Sequence, residues 1–163
     1  MIIRKAQIND LERILEIYDL ARAYMRANGN YKQWPVGTPA KETLVDDIAK
    51  GQLYVGEDDI IHFVFAYIPG EDPTYGYIEG AWLNDEPYAT IHRIASDGSV
   101  KGVLKQVVSF IKRDISNIRI DTHEDNKTMQ RTILNNGFKR CGIIYLENGD
   151  PRIAYQLTDE DLQ

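Results

Sequence analysis

A single cysteine, Cys141, stands among 163 residues, so the chain closes no internal disulfide and offers no thiolate cluster to a metal. Its three histidines, His62, His92 and His123, lie at no zinc-ligand spacing. No apolar run approaches the roughly 20 residues that a membrane span requires. The opening residues, MIIRKAQIND, hold no apolar stretch that would serve as a signal peptide. A reducing cytoplasm is therefore the expected location, and a membrane is not an expected partner. Basic residues are also short: 19 Lys and Arg face 25 Asp and Glu, a formal charge of -6. An acidic surface repels phosphate backbones, so nucleic acid is not expected either. The same sign suits a cationic acceptor such as an amine, although mild acidity also serves solubility alone.

What is present fits a soluble globular chain. The hydrophobic fraction is 43% and the charged fraction 27%, and the length suits one domain spanning residues 1–163. Met1 to Lys5 is a strand candidate. Asn9 precedes Glu12 by three residues, the pattern of a capping box at a helix start. Leu11, Ile14, Leu15, Tyr18, Ala21 and Met25 follow at helical spacing, and Asn28-Gly29-Asn30 ends the helix. Tyr31 to Ala40, with Trp34, Pro35, Gly37 and Pro39, reads as a loop. A short helix is expected over Lys41–Lys50, then a hairpin of Leu53–Glu57 and Ile60–Ile68 around Asp58-Asp59. Tyr77 to Leu83 reads as an extended piece or a turn.

The second half alternates more regularly. Tyr88 to Ala95 is a strand whose period of two puts Ala89, Ile91, Arg93 and Ala95 on one face. Tyr88, Thr90, His92 and Ile94 fall on the other. A helix is expected over Lys101–Ile115, with Leu104, Val107, Val108 and Ile111 as its apolar stripe. A strand over Ile118–Thr122 and a helix over Asn126–Asn136 follow, closed by Gly137. Phe138–Tyr145 and Arg152–Leu157 read as a hairpin across Asn148-Gly149. The pattern is that of an α/β chain with a mixed sheet.

This order is similar to that of the GNAT acetyltransferase superfamily, and particular residues carry the resemblance. IHRIASDGSVKG, Ile91 to Gly102, looks like the strand and phosphate-loop start of the superfamily's CoA-binding motif. NIRIDTHEDNKTMQRTILNNGF, Asn117 to Phe138, looks like its next strand and helix. CGIIYLENGDPRIAYQL, Cys141 to Leu157, resembles the closing hairpin of a bacterial subgroup. The resemblance implies a GNAT fold: a twisted, mixed central sheet of about six or seven strands with helices on both faces.

It also implies acetyl-CoA as co-substrate, with no metal. The pantetheine arm would bond backbone groups near Ile94, Ala95 and Ser96, like an added strand. The pyrophosphate would sit at the following helix start, at Lys101, Gly102, Val103 and Leu104, where unpaired N–H groups favour anions. Asn126 would contact the arm near the thioester, and Met129 would line it. Leu104 and Gln106 stand where relatives carry small residues, and Ile133 stands where many carry a tyrosine acid. The implied activity is transfer of an acetyl group to a primary amine of a small molecule or a protein. The alternative is an acyl-CoA-binding or regulatory module with little turnover, and a second copy of the chain is a further partner to consider.

The general base is open among His92, Glu79 and His123. His92 lies on the strand beside the arm, although a half-buried structural histidine fits equally. His123, between Asp121 and Glu124, reads first as a polar strand end. Tyr145 is a candidate for the acid that protonates the thiolate. Tyr31 and Trp34, in the first interhelical loop, and Tyr88 are candidate acceptor contacts; each aromatic fits a core position as well. Asp121, Glu124 and Asp125 read as capping and solvated charge rather than a metal site. Cys141 reads as inert core.

Overall fold

The computed structural model describes residues 1–35 and 37–159; Val36, inside the expected loop, lies outside them. Two compact units emerge. The first comprises Met1–Tyr67 and His92–Val103, the second Ile68–Ile91 and the chain from Leu104 onward. The border falls inside one strand.

The first unit opens with β1 (Ile2–Lys5) and α1 (Leu11–Ala27). A short 3-10 turn, Ile8–Asp10, precedes α1. The carboxylate that caps this start is therefore Asp10, whose Oδ2 accepts from Gln7 N at 2.7 Å, not Glu12. The expected stripe of α1 is at least half-buried throughout, and Ile17 joins it. The helix ends as Asn28-Gly29-Asn30 predicts: Gly29 adopts φ 82, and Asn30 N reaches back to Met25 O at 2.8 Å. α2 (Lys41–Ala49) leads to β2 (Leu53–Glu57) and β3 (Ile61–Pro69), an antiparallel hairpin that also pairs with β1. Gly56 is obligatory there, since a Cβ would stand 2.1 Å from the buried Phe63 ring.

The second unit holds β4 (Glu79–Gly80), the N-terminal end of β5 (Ala89–Ser96), α3 (Val103–Ile111) and β6 (Ile118–Thr122). α4 (Lys127–Asn135), β7 (Lys139–Tyr145) and β8 (Pro151–Leu157) complete it. α3 is shorter than expected at both ends. Gly102 adopts φ 67, which no α-helix accommodates, so the helix begins after it. Beyond Ile111 three-residue bonds, Arg113 N to Phe110 O and Asp114 N to Ile111 O, mix with the four-residue bonds of Lys112 N to Val108 O and Ile115 N to Ile111 O.

The strand order is β1-β2-β3-β5-β6-β8-β7-β4, eight strands where six or seven were expected. β5 and β6 form a parallel pair joined through α3, while β8 inserts antiparallel between β6 and β7. The added strand is two-residue β4, which docks antiparallel on β7 because Gly80 and Gly142 face each other. A Cβ on Gly142 would lie 2.0 Å from Glu79 O.

Candidate active site

β5 is eight residues long, but its ladder with β6 consists, among the described residues, of Ala89 with Ile118 and Thr90 with Arg119. The strand then runs on to Ser96. Within that continuation Arg93 adopts φ 51, a left-handed conformation uncommon outside glycine. Such a residue bends a strand and interrupts its alternation, so the simple two-face reading of Tyr88–Ala95 fails at Arg93. Three hydrogen bonds to two partners hold the bend. Arg93 Nε and Nη2 donate to Asp47 Oδ2 and Oδ1 at 2.8 and 2.9 Å, and Asp47 is almost fully buried. Tyr18 OH donates to Arg93 O at 2.6 Å. Burial pushes the Tyr18 hydroxyl pKa up, so it stays a donor. Trp34 meets the Tyr18 ring edge-on, with centroids 5.4 Å apart.

The loop after β5 is clamped in the same unit. Asp97 N donates to His62 O at 2.9 Å. Asp97 Oδ2 accepts from Arg13 Nη2 at 2.8 Å and meets His62 Nδ1 at 2.9 Å. Asp97 Oδ1 accepts from Ser99 N and Oγ at 2.9 and 2.6 Å. The other ring nitrogen, His62 Nε2, lies 2.7 Å from Asp58 Oδ1. Hydrogen bonds to Asp97 and then Asp58 hold His62 above its usual pKa. Burial pushes the Asp97 carboxyl up, but Ser99 and His62 outweigh it and leave it below the usual range. Ser99 gives its proton to Asp97, so this serine, histidine and aspartate form a clamp and not a nucleophile.

Two glycines leave the backbone of this loop uncovered. Gly98 and Gly102 adopt φ 82 and 67, and a Cβ at either would meet nothing within 4 Å. The backbone is thus open to close approach immediately before the nine-residue helix α3. Leu104, in the first turn, turns its side chain into the core, leaving its N–H as the group it could offer.

In the second unit, Asn126 caps α4, its Oδ1 accepting from Met129 N at 3.0 Å. His123 Nδ1 accepts from Asp125 N at 3.0 Å, which places the neutral ring's proton on Nε2. His123 O accepts from Asn126 N at 3.0 Å. Tyr75 OH donates to Asp121 Oδ2 at 2.5 Å; burial, and then Asp121, push that hydroxyl's pKa well up. Arg119 lies between the rings of Trp82 and Tyr88, at 4.0 and 3.9 Å, a paired cation–π contact.

Of the catalytic candidates, His92 is half-buried on β5 in the first unit. Glu79 and Tyr145 meet in the second, Tyr145 OH donating to Glu79 Oε1 at 2.8 Å. That bond holds Tyr145 above its usual pKa. Ile94 and Ser96 are half-buried and Ala95 buried, while Lys101 and Gly102 are exposed. Tyr31 is exposed and Trp34 half-buried. Tyr88 is buried: its hydroxyl accepts from Asp72 N at 2.8 Å and its ring covers Arg119. Sequence reasoning missed Asp47, His62 and Asp97, which are joined to Arg93, Asp97 and Arg13 across 46, 35 and 84 residues respectively. Asp97, the one acidic residue of the loop itself, was the only local signal.

Neither a protein-family model nor a curated protein matches the chain. Solved structures do. An acetyltransferase of the GNAT family from Streptococcus agalactiae 2603 is 34% identical, over 97% of this chain and 95% of that one, with a TM-score of 0.87. GNAT-family acetyltransferases from Bacillus cereus ATCC 10987 and Listeria monocytogenes 4b F2365 share the fold at 22% and 18% identity. Their TM-scores are 0.62 and 0.68, covering 96% and 95% of this chain and 96% and 92% of theirs.

Proposed function

This chain belongs to the GNAT family of acetyltransferases, and from that premise we propose that it transfers the acetyl group of acetyl-CoA to a primary amine of a small molecule or a protein. The observation that carries this reading is the form of β5. Its ladder with β6 covers Ala89 and Thr90, yet the strand continues to Ser96 and opens into a loop with free space at Gly98 and Gly102. The pantetheine amides would pair alongside Ile94, Ala95 and Ser96. Lys101 and the N–H groups of Gly102, Val103 and Leu104 would hold the pyrophosphate. Asn126 and Met129 are assigned to the arm by family resemblance.

The donor supplies an activated acyl carbon. The amine must lose a proton to attack it, and His92 is the base assigned here. The amine nitrogen bonds to the carbonyl carbon, the carbon–sulfur bond breaks, and the sulfur departs as a thiolate that takes up the proton shed by the nitrogen. A backbone N–H of β5 would face the charge that develops on the carbonyl oxygen. Most of the acceleration would come from holding amine and thioester together. No helix among the described residues is long and apolar enough to cross a membrane, and an acceptor dissolved in the cytoplasm is the one proposed.

One observation favours a second reading, an acyl-CoA-binding module without turnover. Ile133, at the position of the family's tyrosine acid, is fully buried in α4 and has no proton to give. Calorimetry with acetyl-CoA, followed by thiol release across a panel of amines, tests both. Binding with release that falls at least about tenfold in His92→Ala supports transfer. Binding without release from any amine supports the module, and absence of binding refutes both.

A further inference from the structure

In the first unit, buried Asp47 has both oxygens held by Arg93. In the second, the buried side chains that carry permanent charge are Arg119 and Arg152. Two rings cover Arg119, and its Nη2 donates to Asn84 O at 2.9 Å, although its Nε finds no partner among the described residues. Arg152 is held differently. It is 6% exposed, and its side-chain hydrogen bond runs to the carbonyl of its own neighbour, Pro151, at 2.8 Å. Among the described residues no carboxylate forms an ion pair with it. Asp121 and Asp150 reach it only as a more distant attraction, while burial disfavours its charge. A largely buried guanidinium with one side-chain hydrogen bond and no carboxylate partner keeps donors to offer a ligand.

Its position says what the partner would be. Asp121 pairs with Ala154 in the β6–β8 ladder, and Arg152 stands two residues from Ala154 on β8. Arg152 and Asp121 therefore share a face as diagonal neighbours, a separation of about 7–8 Å in such ladders. Asp121 takes one bond from Tyr75 and has lone pairs left to accept others. The next turn of chain, His123 to Asn126, is tied back by Asn126 N to His123 O at 3.0 Å, so the pair adjoins the segment assigned to the thioester end of the arm. A cation and an anion at that distance match a small molecule carrying one charge of each sign on neighbouring carbons.

We propose that Arg152 and Asp121 form the acceptor subsite, and that the acceptor is a zwitterionic amine of the free amino acid type. The Arg152 fork takes its carboxylate, and Asp121 receives its ammonium before deprotonation. This rests on the transfer reading above, and it narrows the acceptor from any amine to one that carries a carboxylate.

Matched pairs test it: free amino acids against their carboxamides, titrated calorimetrically into the whole protein with CoA present. The free acids are expected to bind at least about tenfold more tightly, as the loss of a bidentate charged contact implies. Arg152→Gln should erase that preference. Equal binding of acids and amides, no binding by any member, or a preference that survives Arg152→Gln overturns the subsite. If Arg152→Gln does not fold, Arg152→Lys keeps the charge but not the fork. It should lose most of the preference, and an unchanged preference is again refuting. Thiol release separates the two failures. Release with carboxylate-free amines and no preference for acids sinks the subsite alone. Absence of release from acetyl-CoA with every amine counts against transfer, while the binding titration still decides the subsite.

Discussion

Arg93 grips both carboxylate oxygens of Asp47, at 2.8 and 2.9 Å, from a backbone turned to φ 51. A side chain in that conformation persists only where its surroundings fix it. The pair therefore links α2 to the bend of β5, along which the donor's arm is proposed to lie.

Asp47→Asn should accordingly cost about 2–4 kcal/mol, because it strands a partly buried guanidinium. Gln52 Nε2, which also bonds Asp47 Oδ1 at 2.8 Å, could still find the amide oxygen, so the loss is mainly that of charge. Urea unfolding measures it. If the bend presents the donor site, KM for acetyl-CoA should rise in the folded variant; a stability loss with unchanged KM would make the pair a scaffold only.

The His62 clamp predicts a pH dependence with a definite sign. Asp58 and Asp97 face its ring directly, Arg13 shares Asp97, and Ser99 bonds the same cluster. The folded pKa of His62 is raised by the two carboxylates. Its contribution to stability is therefore complete below the unfolded value of about 6.5 and is lost as pH rises through the folded value. Asp58 and Asp97 have lowered values, so their contribution is present above the unfolded range and fades only as pH falls through the folded one. Thermal melts of the wild type and His62→Gln should diverge most in mild acid and converge above the raised His62 value. A constant offset at all pH values would remove the charge from the explanation.

Local features of this fold were legible because local forces set them. The apolar stripe of α1, the Asn28-Gly29 stop and the Asn148-Gly149 hairpin each follow from a few adjacent residues. β6, Ile118–Thr122, matches its expected bounds for the same reason. The failures share a different cause. The bend at Arg93 depends on Asp47, 46 residues away, and no propensity of arginine announces it. β4 is a strand because glycines at 80 and 142 let two backbones touch, a relation invisible until both positions are in space. The family motif located the β5 loop, but the His62–Asp97 contact that clamps it crosses 35 residues.

Asn117 and Asn126 should separate stability from function. Asn117 is buried, its amide meeting Asn84 Oδ1 at 2.9 Å and its carbonyl oxygen accepting from Gln156 Nε2 at 2.7 Å. Asn117→Ala removes both bonds, although Gln156 Nε2 still donates to Asn84 Oδ1 at 3.1 Å, and should cost about 1–2 kcal/mol, with little change in CoA affinity once folded. Asn126→Ala removes one helix cap, worth about 1 kcal/mol, but should weaken acetyl-CoA binding or turnover more. Chemical unfolding beside CoA titrations of both variants reads the contrast. Equal functional losses would undo the assignment of Asn126 to the arm.

Tyr145 can be a proton donor or a tether, and two variants distinguish these roles. Its hydroxyl is tied to Glu79 on β4, and β4 stays on β7 only while Gly80 and Gly142 remain bare. Gly142→Ala should push β4 away, since its Cβ would press on a backbone oxygen that cannot yield, at a cost of about 2 kcal/mol or more. The tyrosine hydroxyl survives that change. Tyr145→Phe removes the hydroxyl yet should leave stability nearly unchanged, because the bond is exposed to solvent. The raised pKa keeps Tyr145 protonated and committed to Glu79, so kcat in Tyr145→Phe is expected to stay within about twofold of wild type. A kcat lost in Tyr145→Phe and retained in Gly142→Ala would instead make the hydroxyl the acid that serves the departing thiol.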